Sequence, residues 1–246
     1  MGVLSGRVAL VTGGSGGIGG AIARALAAAG ADVALGYRSR LAAAEAVVAA
    51  CVAHGVRVRG YAADVGDPAQ AAALVEGTLR DFRRVDIVVN AAGHALYKLV
   101  LDTTPAELTR LLAVHVGGTF AVCRAALPAM LRQEYGRIIN ISSVWGLAGA
   151  ANEAAYSAAK AGVIGLTQAL AQEVGRAGVT VNCVAPGAIA TAMLAGLDAT
   201  ARADLAARTP LGRLGTPDDL APLVVLLASD AGRFITGQAI AVSGGL

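Results

Sequence analysis

Lysine is almost missing from this sequence. The 246 residues include 20 lysines and arginines together, and only Lys98 and Lys160 are lysines. Because the chain uses arginine almost everywhere else, each remaining lysine is a candidate for a chemical role. The net charge of +3 is scattered along the chain, whereas a nucleic-acid-binding protein carries its basic residues on one face. The sequence therefore disfavours a nucleic-acid-binding module, which would bind generic DNA in a salt-sensitive way.

Cysteines and long apolar runs are also scarce. Cys51, Cys123 and Cys183 are far apart and odd in number, and they lack the spacing of metal ligands, so we expect reduced, buried thiols in a cytoplasmic protein. We find no uninterrupted run of about 18 apolar residues, and the first residues lack the pattern of a secretory signal. We therefore expect no membrane span. Hydrophobic residues make up 56% of the chain and charged residues 15%, which excludes a disordered protein.

Short β-branched runs alternate with longer runs rich in alanine and leucine over the whole chain. This alternation predicts an α/β fold, with a Rossmann-type doubly wound parallel sheet of about seven strands in a three-layer αβα arrangement. We expect the strands to be apolar on both faces, and residues 1–246 to form one domain because no linker interrupts the pattern. The predicted strands are residues 8–11, 33–37, 56–61, 87–89, 137–141, 180–184 and 239–242. The predicted helices are residues 17–29, 40–54, 68–81, 105–114, 117–133, 156–177 and 217–229.

A glycine-rich turn, residues 12–19 with the sequence TGGSGGIG, joins the first predicted strand to the first predicted helix. Glycines permit a tight turn and let backbone amides approach a pyrophosphate, and the start of the helix adds a partial positive charge. A glycine-rich stretch alone is also compatible with a purely structural turn. The strand before it and the helix after it favour a dinucleotide-binding loop.

The end of the second predicted strand lacks a carboxylate. Proteins that bind NAD usually place an Asp or Glu there to hold the ribose hydroxyls, whereas proteins that bind NADP place an Arg nearby. Here the strand ends in Tyr37, Arg38, Ser39 and Arg40. Two solvated arginines are the alternative interpretation, but cations oppose the dipole at the start of a helix. We therefore predict that NADP(H) is preferred over NAD(H).

Tyr156 and Lys160 open an alanine-rich predicted helix and, four residues apart, share one of its faces. A phenol has a pKa of about 10, and a nearby ammonium lowers that pKa toward neutral pH. The pair could equally lie on a helix surface without function. Its context favours catalysis, because Ser142 and Ser143 follow one strand, and Asn90 follows another, at the edge where such sheets bind ligands.

These motifs together resemble the short-chain dehydrogenase/reductase family over essentially the full chain. The family pattern TGxxxGxG matches at Thr12, Gly13, Gly17 and Gly19, and its NNAG motif is similar to Asn90-Ala91-Ala92-Gly93. Ser143 lies thirteen residues before Tyr156, which is the usual family spacing. Within the family, the chain most resembles 3-oxoacyl-[acyl-carrier-protein] reductases and related carbonyl reductases. The resemblance is strongest in two C-terminal segments, Arg213-Leu214-Gly215-Thr216-Pro217 and Ile235-Thr236-Gly237-Gln238.

The resemblance implies a role for each of these residues. Tyr156 is the general acid in reduction and the base in oxidation, Ser143 polarises the substrate oxygen, and Lys160 lowers the pKa of Tyr156 and binds the nicotinamide ribose. Hydride passes directly between nicotinamide and substrate carbon. The implied cofactor contacts are Gly13, Ser15, Gly16, Gly17, Ile18, Gly19, Tyr37, Arg38, Ser39, Asp64, Val65, Asn90, Ala91, Ala92, Gly93, Tyr156, Lys160, Pro186, Gly187, Ile189 and Thr191.

His115 stands where the family commonly has a fourth catalytic residue, an asparagine. In the family, the main-chain carbonyl of that residue holds a water in a proton relay from the lysine. A backbone role survives a change of side chain, and histidine also donates and accepts hydrogen bonds. We predict an active enzyme in which His115 has a structural or relay part. A residue that only kinks the helix is the alternative.

The substrate is less defined. The resemblance implies a small-molecule or acyl-thioester substrate, but two basic positions that dock acyl carrier protein fall on Glu134 and Ala177, with Arg132 and Arg176 close by. A carrier-protein partner is therefore in doubt, and a free ketone, ketoester, sugar or polyketide intermediate stays open. The predicted pocket residues are His94, Leu96, Val144, Trp145, Leu147 and Met193, although Trp145 is also compatible with plain packing. We interpret residues 190–207 as a candidate mobile lid.

Assembly and catalytic competence complete the predictions. The helices at 117–133 and 156–177 are rich in small apolar residues, and family members pair such helices across a dimer, so we predict a homotetramer. Some family members bind nucleotide as sensors or scaffolds without turnover, and these usually lose the Tyr or the Lys. This chain keeps both, which favours an enzyme.

Overall fold

The computed structural model describes residues 2–194 and 198–246, without the side chain of Met193. The described residues form one parallel sheet in the order β3-β2-β1-β4-β5-β6-β7. Its strands are β1 (Val8–Thr12), β2 (Asp32–Tyr37), β3 (Val58–Ala62), β4 (Ile87–Asn90), β5 (Gly136–Ile141), β6 (Val179–Pro186) and β7 (Ala239–Val242). The order reverses between β1 and β4, which is where such sheets open a crevice at their carboxyl ends.

Helices cover both faces of the sheet. They are α1 (Gly17–Ala28), α2 (Leu41–Val52), α3 (Pro68–Phe82), α4 (Pro105–Leu112), α5 (Gly118–Gln133), α6 (Val144–Ala148), α7 (Ala154–Val174), α8 (Ala199–Arg208) and α9 (Pro217–Ala228). A π-helical turn, Ala113–Gly117, joins α4 to α5. Prolines begin α3, α4 and α9, as predicted, since the first helical position needs no amide donor.

Two apolar cores lie on opposite faces of the sheet. Ile22 of α1 and Leu220 of α9 belong to one core, and Leu74 of α3 and Met130 of α5 belong to the other. A sheet covered on both faces is therefore confirmed, together with the predicted α/β, doubly wound class. The order of the strands follows from right-handed crossovers on both sides of β1.

Three details differ from the sequence-based expectations. The strand β3 is partly exposed along its whole length, because it is an edge strand that carries Arg59. The prediction that every strand is apolar on both faces is therefore wrong there. The short helix α6 follows β5, and all of α8 except its last residue lies within the proposed lid, residues 190–207. Residues 195–197 of that segment lie outside the described residues.

One continuous helical stretch, Pro105–Gln133, has the length and the mean hydropathy, 1.4, that a membrane span requires. In the fold it comprises α4, the π-turn and α5, and its buried residues, such as Val122 and Met130, belong to the core beneath the sheet. A core helix passes the same test of length and composition. This stretch therefore gives only weak support for a membrane span.

Candidate active site

Two adjoining cavities open at the carboxyl ends of the strands. The smaller has a volume of about 240 Å³ and lies over the glycine-rich turn. The larger has a volume of about 760 Å³ and lies over the ends of β5 and β6. Ile18, Ala91, Gly93 and Thr191 line both cavities. A ligand that extends from one cavity to the other would therefore pass these four residues.

The glycine-rich turn forms the floor of the smaller cavity, called here the nucleotide cavity. Gly13 has a φ of +66°, and a Cβ there would lie 2.7 Å from the Cα of Ala92, so the turn needs glycine. Gly16 precedes α1 without a side-chain cap, and no acidic residue occupies the first turn of the helix. The first amides of α1 are thus left for an anion, which fits the pyrophosphate of a dinucleotide.

Basic side chains border the far end of the nucleotide cavity. Tyr37, Arg38, Ser39 and Arg40 all line it, and the last three are exposed. Neither Arg38 nor Arg40 forms an ion pair with another described residue. Two unpaired guanidiniums at this edge fit a phosphate group on the ribose.

Asp64 also lines the nucleotide cavity and is already partnered. Its carboxylate accepts a hydrogen bond from Arg110 at 2.5 Å and from the amide of Gly66 at 2.9 Å. Burial acts to raise the pKa of Asp64, but the hydrogen bonds from Gly66 and Arg110 hold it below its usual value. Arg110 also lines the cavity, but it was not predicted from the sequence. The pattern of residues in its helix, α4, does not indicate that this side chain points to the end of a strand.

Asn90 is the one predicted cofactor residue that lines neither cavity. It is buried, and its side-chain amide donates to Oδ1 of Asn140 at 2.9 Å. Asn140 in turn donates to Oγ1 of Thr167 on α7 at 2.9 Å. The side chain of Asn90 therefore helps to join β4, β5 and α7, and its contact with the cofactor stays a prediction. The other predicted cofactor residues all line one or both cavities.

The predicted catalytic residues meet in the larger cavity, called here the catalytic cavity. Ser143, Tyr156, Lys160 and His115 all line it. The backbone of Trp145 donates to Oγ of Ser143 at 3.2 Å, which holds the serine at the start of α6. Nζ of Lys160 donates to the carbonyl of Ile141 at 2.8 Å and lies 5.6 Å from the ring centroid of Tyr156.

Burial dominates the electrostatics of this group. Burial, with a smaller contribution from the carboxylate of Glu153, raises the pKa of Tyr156 to about 12, while a hydrogen bond with Ser143 acts to lower it. Burial lowers the pKa of Lys160 to about 8. The expected lowering of the Tyr156 pKa by Lys160 is therefore not found in the protein without ligands. The buried ammonium loses part of its own charge as the solution approaches pH 8, and it is held against Ile141.

His115 lies in the π-helical turn and is only 2% exposed. Its Nε2 lies 2.9 Å from the carbonyl oxygen of His94 and 3.3 Å from the amide of His94, while its Nδ1 is buried without a hydrogen-bond partner. Burial, together with the charge of Lys160, lowers the pKa of His115 to about 2. The imidazole is therefore neutral, and its free nitrogen is available to a water or ligand beside Tyr156.

Only some of the predicted substrate-pocket residues line a cavity in the structure. Trp145 lines the catalytic cavity, and His94 lines the nucleotide cavity. Leu96, Val144 and Leu147 line neither, since Val144 is buried beneath α6 and Leu147 is half exposed on its outer side. The side chain of Met193 lies outside what the structure describes. The missed lining residues include Asn152 and Glu153 before α7, and Asp204 and Arg208 on α8.

Comparison with known proteins gives one consistent result. Residues 13–246 match the family model described as enoyl-(acyl carrier protein) reductase. The 3-oxoacyl-[acyl-carrier-protein] reductase of Synechocystis is 42% identical, over 100% of this chain and 99% of the relative. The enzyme of the same name from Escherichia coli is 41% identical, over 98% of this chain and 97% of the relative.

Solved structures agree with the sequence relatives. The crystal structure of levodione reductase has a TM-score of 0.94 and 34% identity, and the match covers 98% of both chains. A blue fluorescent protein from a metagenomic library, solved in complex with NADPH, has a TM-score of 0.92 and 40% identity, again over 98% of both chains. The fold and site thus define an oxidoreductase with a nucleotide-binding α/β sheet. The chain belongs to the short-chain dehydrogenase/reductase family.

Proposed function

We propose that this protein is an NADP(H)-dependent reductase that converts a ketone or 3-oxoacyl group to a secondary alcohol, reversibly. The observation that carries the proposal is the meeting of Ser143, Tyr156 and Lys160 in a cavity that adjoins the nucleotide cavity. Relatives named as 3-oxoacyl-[acyl-carrier-protein] reductases, at 42% and 41% identity, support the same reaction type.

The nucleotide cavity supports NADP(H) over NAD(H). The uncapped start of α1 suits a pyrophosphate, and the unpaired Arg38 and Arg40 suit a ribose phosphate. A structural neighbour, 40% identical, was solved with NADPH. With no carboxylate at the end of β2, a ribose hydroxyl would lack the acceptor that NAD-binding proteins usually supply.

Each catalytic residue has a defined task in this proposal. A bound nicotinamide dinucleotide supplies or accepts the hydride. Ser143 donates a hydrogen bond to the substrate oxygen. Tyr156 donates its phenolic proton to that oxygen in reduction and removes it in oxidation. Lys160, while protonated, stabilises the phenolate that forms when Tyr156 gives up its proton.

An NADPH-consumption screen over ketoacyl thioesters, ketoesters, sugars and steroids tests this function. We expect turnover of at least one class, NADPH to be preferred over NADH, and the rate to be lost in Tyr156→Phe. Tight binding of NADPH without turnover of any ketone would instead favour the non-catalytic sensor or scaffold. Equal affinity for the two cofactors would overturn the NADP(H) preference alone.

Acyl carrier protein is a second candidate partner. Arg132 and Arg176 are exposed near the carboxyl ends of α5 and α7, where they could substitute for the basic residues that Glu134 and Ala177 do not supply. The test compares kcat/KM for a 3-oxoacyl thioester on acyl carrier protein with kcat/KM for the same acyl group on a small thiol. A higher value on the carrier would support the carrier protein as a partner. A free ketone, sugar or polyketide intermediate is the alternative if the carrier gives no advantage.

Assembly and location follow the same reasoning. Leu112 and Phe120 are exposed on α4 and α5, and Phe234 is fully exposed before β7. Exposed apolar groups on two sides of the fold support the predicted homotetramer, which light scattering would test. The cysteines Cys51, Cys123 and Cys183 are free and buried, which supports the expected cytoplasmic location.

A further inference from the structure

Glu153 is a carboxylate inside the catalytic cavity with no assigned role. It immediately precedes α7 and lies three residues before Tyr156. It lines the catalytic cavity and is partly buried. Although it occupies the capping position of α7, its side chain makes no capping hydrogen bond. The carboxylate is therefore not required to begin the helix.

The charge of Glu153 is uncompensated. Its carboxylate makes no hydrogen bond or ion pair with any residue that the structure describes. Burial raises the pKa of Glu153, and no neighbouring cation or donor acts in the opposite direction. The carboxylate also contributes to the raised pKa of Tyr156, so it acts on the reacting hydroxyl. The Glu153 oxygens are not among the fully buried, unpartnered atoms of the described residues, so water in the cavity can solvate them. A substrate that displaces this water without offering a donor leaves the carboxylate unpaired, which costs free energy.

The surrounding walls leave room for such a ligand. Gly149, Ala150 and Ala151, just before Glu153, line the cavity with very small side chains. The adjacent Asn152 donates from its side chain to the Tyr97 hydroxyl at 3.0 Å, so this hydrogen bond joins these two lining residues to each other.

The charged groups of α8 lie farther out. Asp204 and Arg208 line the cavity but are exposed to solvent, where water satisfies them. Glu153 is therefore the carboxylate that a bound substrate would meet nearest to Tyr156.

We propose that Glu153 is a specificity-determining residue whose carboxylate accepts a hydrogen bond from a hydroxyl or ammonium group that the substrate carries close to its carbonyl. This inference rests on the proposed function and narrows its substrate class to ketones with such a donor, as in hydroxyketones and sugars. An unsubstituted alkyl ketone leaves the carboxylate unpaired in the complex. Sites built to hydrogen-bond a substrate group discriminate strongly against analogues that lack it.

Matched ketones test the proposal. We would measure kcat/KM with NADPH for 1-hydroxybutan-2-one, 1-aminobutan-2-one and pentan-3-one, and for the homologues with the donor one or two carbons farther from the carbonyl. In the unmodified enzyme, we expect at least one donor-bearing ketone to exceed its alkyl counterpart by about tenfold or more, the effect of one hydrogen bond to a charged group. Higher rates with the hydroxyl or with the ammonium series identify which donor is bound.

Variants then assign the preference to Glu153. In Glu153→Ala, the ratio of donor-bearing to alkyl ketone should fall to near one. Because Glu153 also acts on Tyr156, both absolute rates will change, but the ratio cancels that common effect. Glu153→Gln keeps an acceptor without charge, so it should retain part of a hydroxyl preference and lose an ammonium preference. Glu173→Gln changes an exposed carboxylate on α7 that lines neither cavity, so it is the matched control and should leave the ratio unchanged.

The outcomes are distinguishable from a failure of the proposed function. Turnover of alkyl and donor-bearing ketones at equal kcat/KM, or a ratio that persists in a folded Glu153→Ala variant, would overturn the role of Glu153 while the reductase activity stands. No turnover of any ketone would overturn the proposed function itself. Thermal unfolding of each variant checks that the fold is intact.

Discussion

The rings of His115 and Tyr156 meet edge to face, with their centroids 5.6 Å apart and their planes at 89°. A neutral imidazole thus packs directly against the predicted catalytic phenol, at the position where the family commonly has asparagine. Its Nε2 is held by the main chain of His94, and its Nδ1 faces no protein partner. The contact supports a positioning role for His115 beside Tyr156, whereas a relay role would have to run through a neutral ring, because burial lowers the pKa of His115 to about 2.

Replacement of His115 separates these roles. We expect His115→Ala to lower kcat by about tenfold or more, because the loss of the ring frees Tyr156 to leave its productive geometry. His115→Asn should recover part of the loss, since an amide can still bond to His94. The measurement is kcat against pH for the three proteins. A pH profile that changes shape in His115→Asn indicates a relay role, whereas an unchanged kcat in His115→Ala would identify a residue that only kinks the helix.

The pH dependence of reduction follows from the shifted pKa values of Tyr156 and Lys160. Burial raises the pKa of Tyr156 to about 12 and lowers that of Lys160 to about 8. Reduction needs a protonated phenol and a protonated ammonium, so the rate should be constant below about pH 7 and fall as the pH rises through about 8. Lysine, not tyrosine, is the group that titrates there.

A Lys160→Arg variant provides the control for this assignment. A guanidinium stays protonated far above pH 8, so the fall should move to higher pH even if the altered geometry lowers the absolute rate. A fall at the same pH in both proteins would show that another group titrates. The pH dependence of kcat/KM reports the groups of the free enzyme, so kcat/KM from pH 6 to 10 supplies the comparison.

Arg38 should set the cofactor preference. We expect Arg38→Ala to raise the Kd for NADPH by about tenfold or more, the worth of a charge-assisted hydrogen bond to phosphate, with little change for NADH. Arg176→Ala removes an exposed arginine that lines neither cavity, and it should change neither Kd. If Arg38→Ala weakened both cofactors equally, the arginine would bind a group that they share. Fluorescence titration of the unmodified protein and of both variants with NADPH and with NADH gives the six constants.

Much of the fold and of the site could be predicted from sequence because the signals were local. Short β-branched runs marked the strands, and three predicted helices start at Pro68, Pro105 and Pro217 in the structure too. The glycine-rich turn could be recognised from the spacing of its residues in the sequence. The same holds for the pair Tyr156 and Lys160. Parallel strands then bring these motifs to one edge, which explains why they meet.

The features that could not be predicted are those that depend on the folded surroundings. The pKa of Tyr156 rises because the site is buried, and the sequence alone does not give that burial. Asn90 belongs to a motif, but its side chain is taken by Asn140, fifty residues away. The helix α8 has few bulky residues and no buried ones, so it lacks the apolar periodicity that reveals a helix.

Asp86 should contribute stability without a part in catalysis. It is fully buried at the amino end of β4, where its carboxylate accepts from the amide of Val8 at 2.9 Å and from Arg84 at 2.7 Å. Asp86→Ala leaves these donors unpaired, and we expect the free energy of unfolding to fall by about 3 kcal/mol in urea titration. Activity should be retained at temperatures where the variant is folded, because the cavities lie at the opposite ends of the strands. Glu45→Ala, on the exposed side of α2, should change the unfolding free energy very little.

Gly93 and His115 should be energetically coupled. A Cβ at Gly93 would overlap Cε1 of the His115 ring and lie 3.0 Å from its Nδ1. The backbone of Gly93 is not in the left-handed region, so the ring alone opposes a larger residue. We expect Gly93→Ala to displace the ring from Tyr156 and to lower both kcat and the unfolding temperature. In the His115→Ala background the clash is removed, so Gly93→Ala should lower kcat and the unfolding temperature much less. A double-mutant cycle measures this difference in kcat and in unfolding temperature. Additive effects on both quantities would show that Gly93 is required for another reason. Close approach of the cofactor is one such reason, because Gly93 lines both cavities.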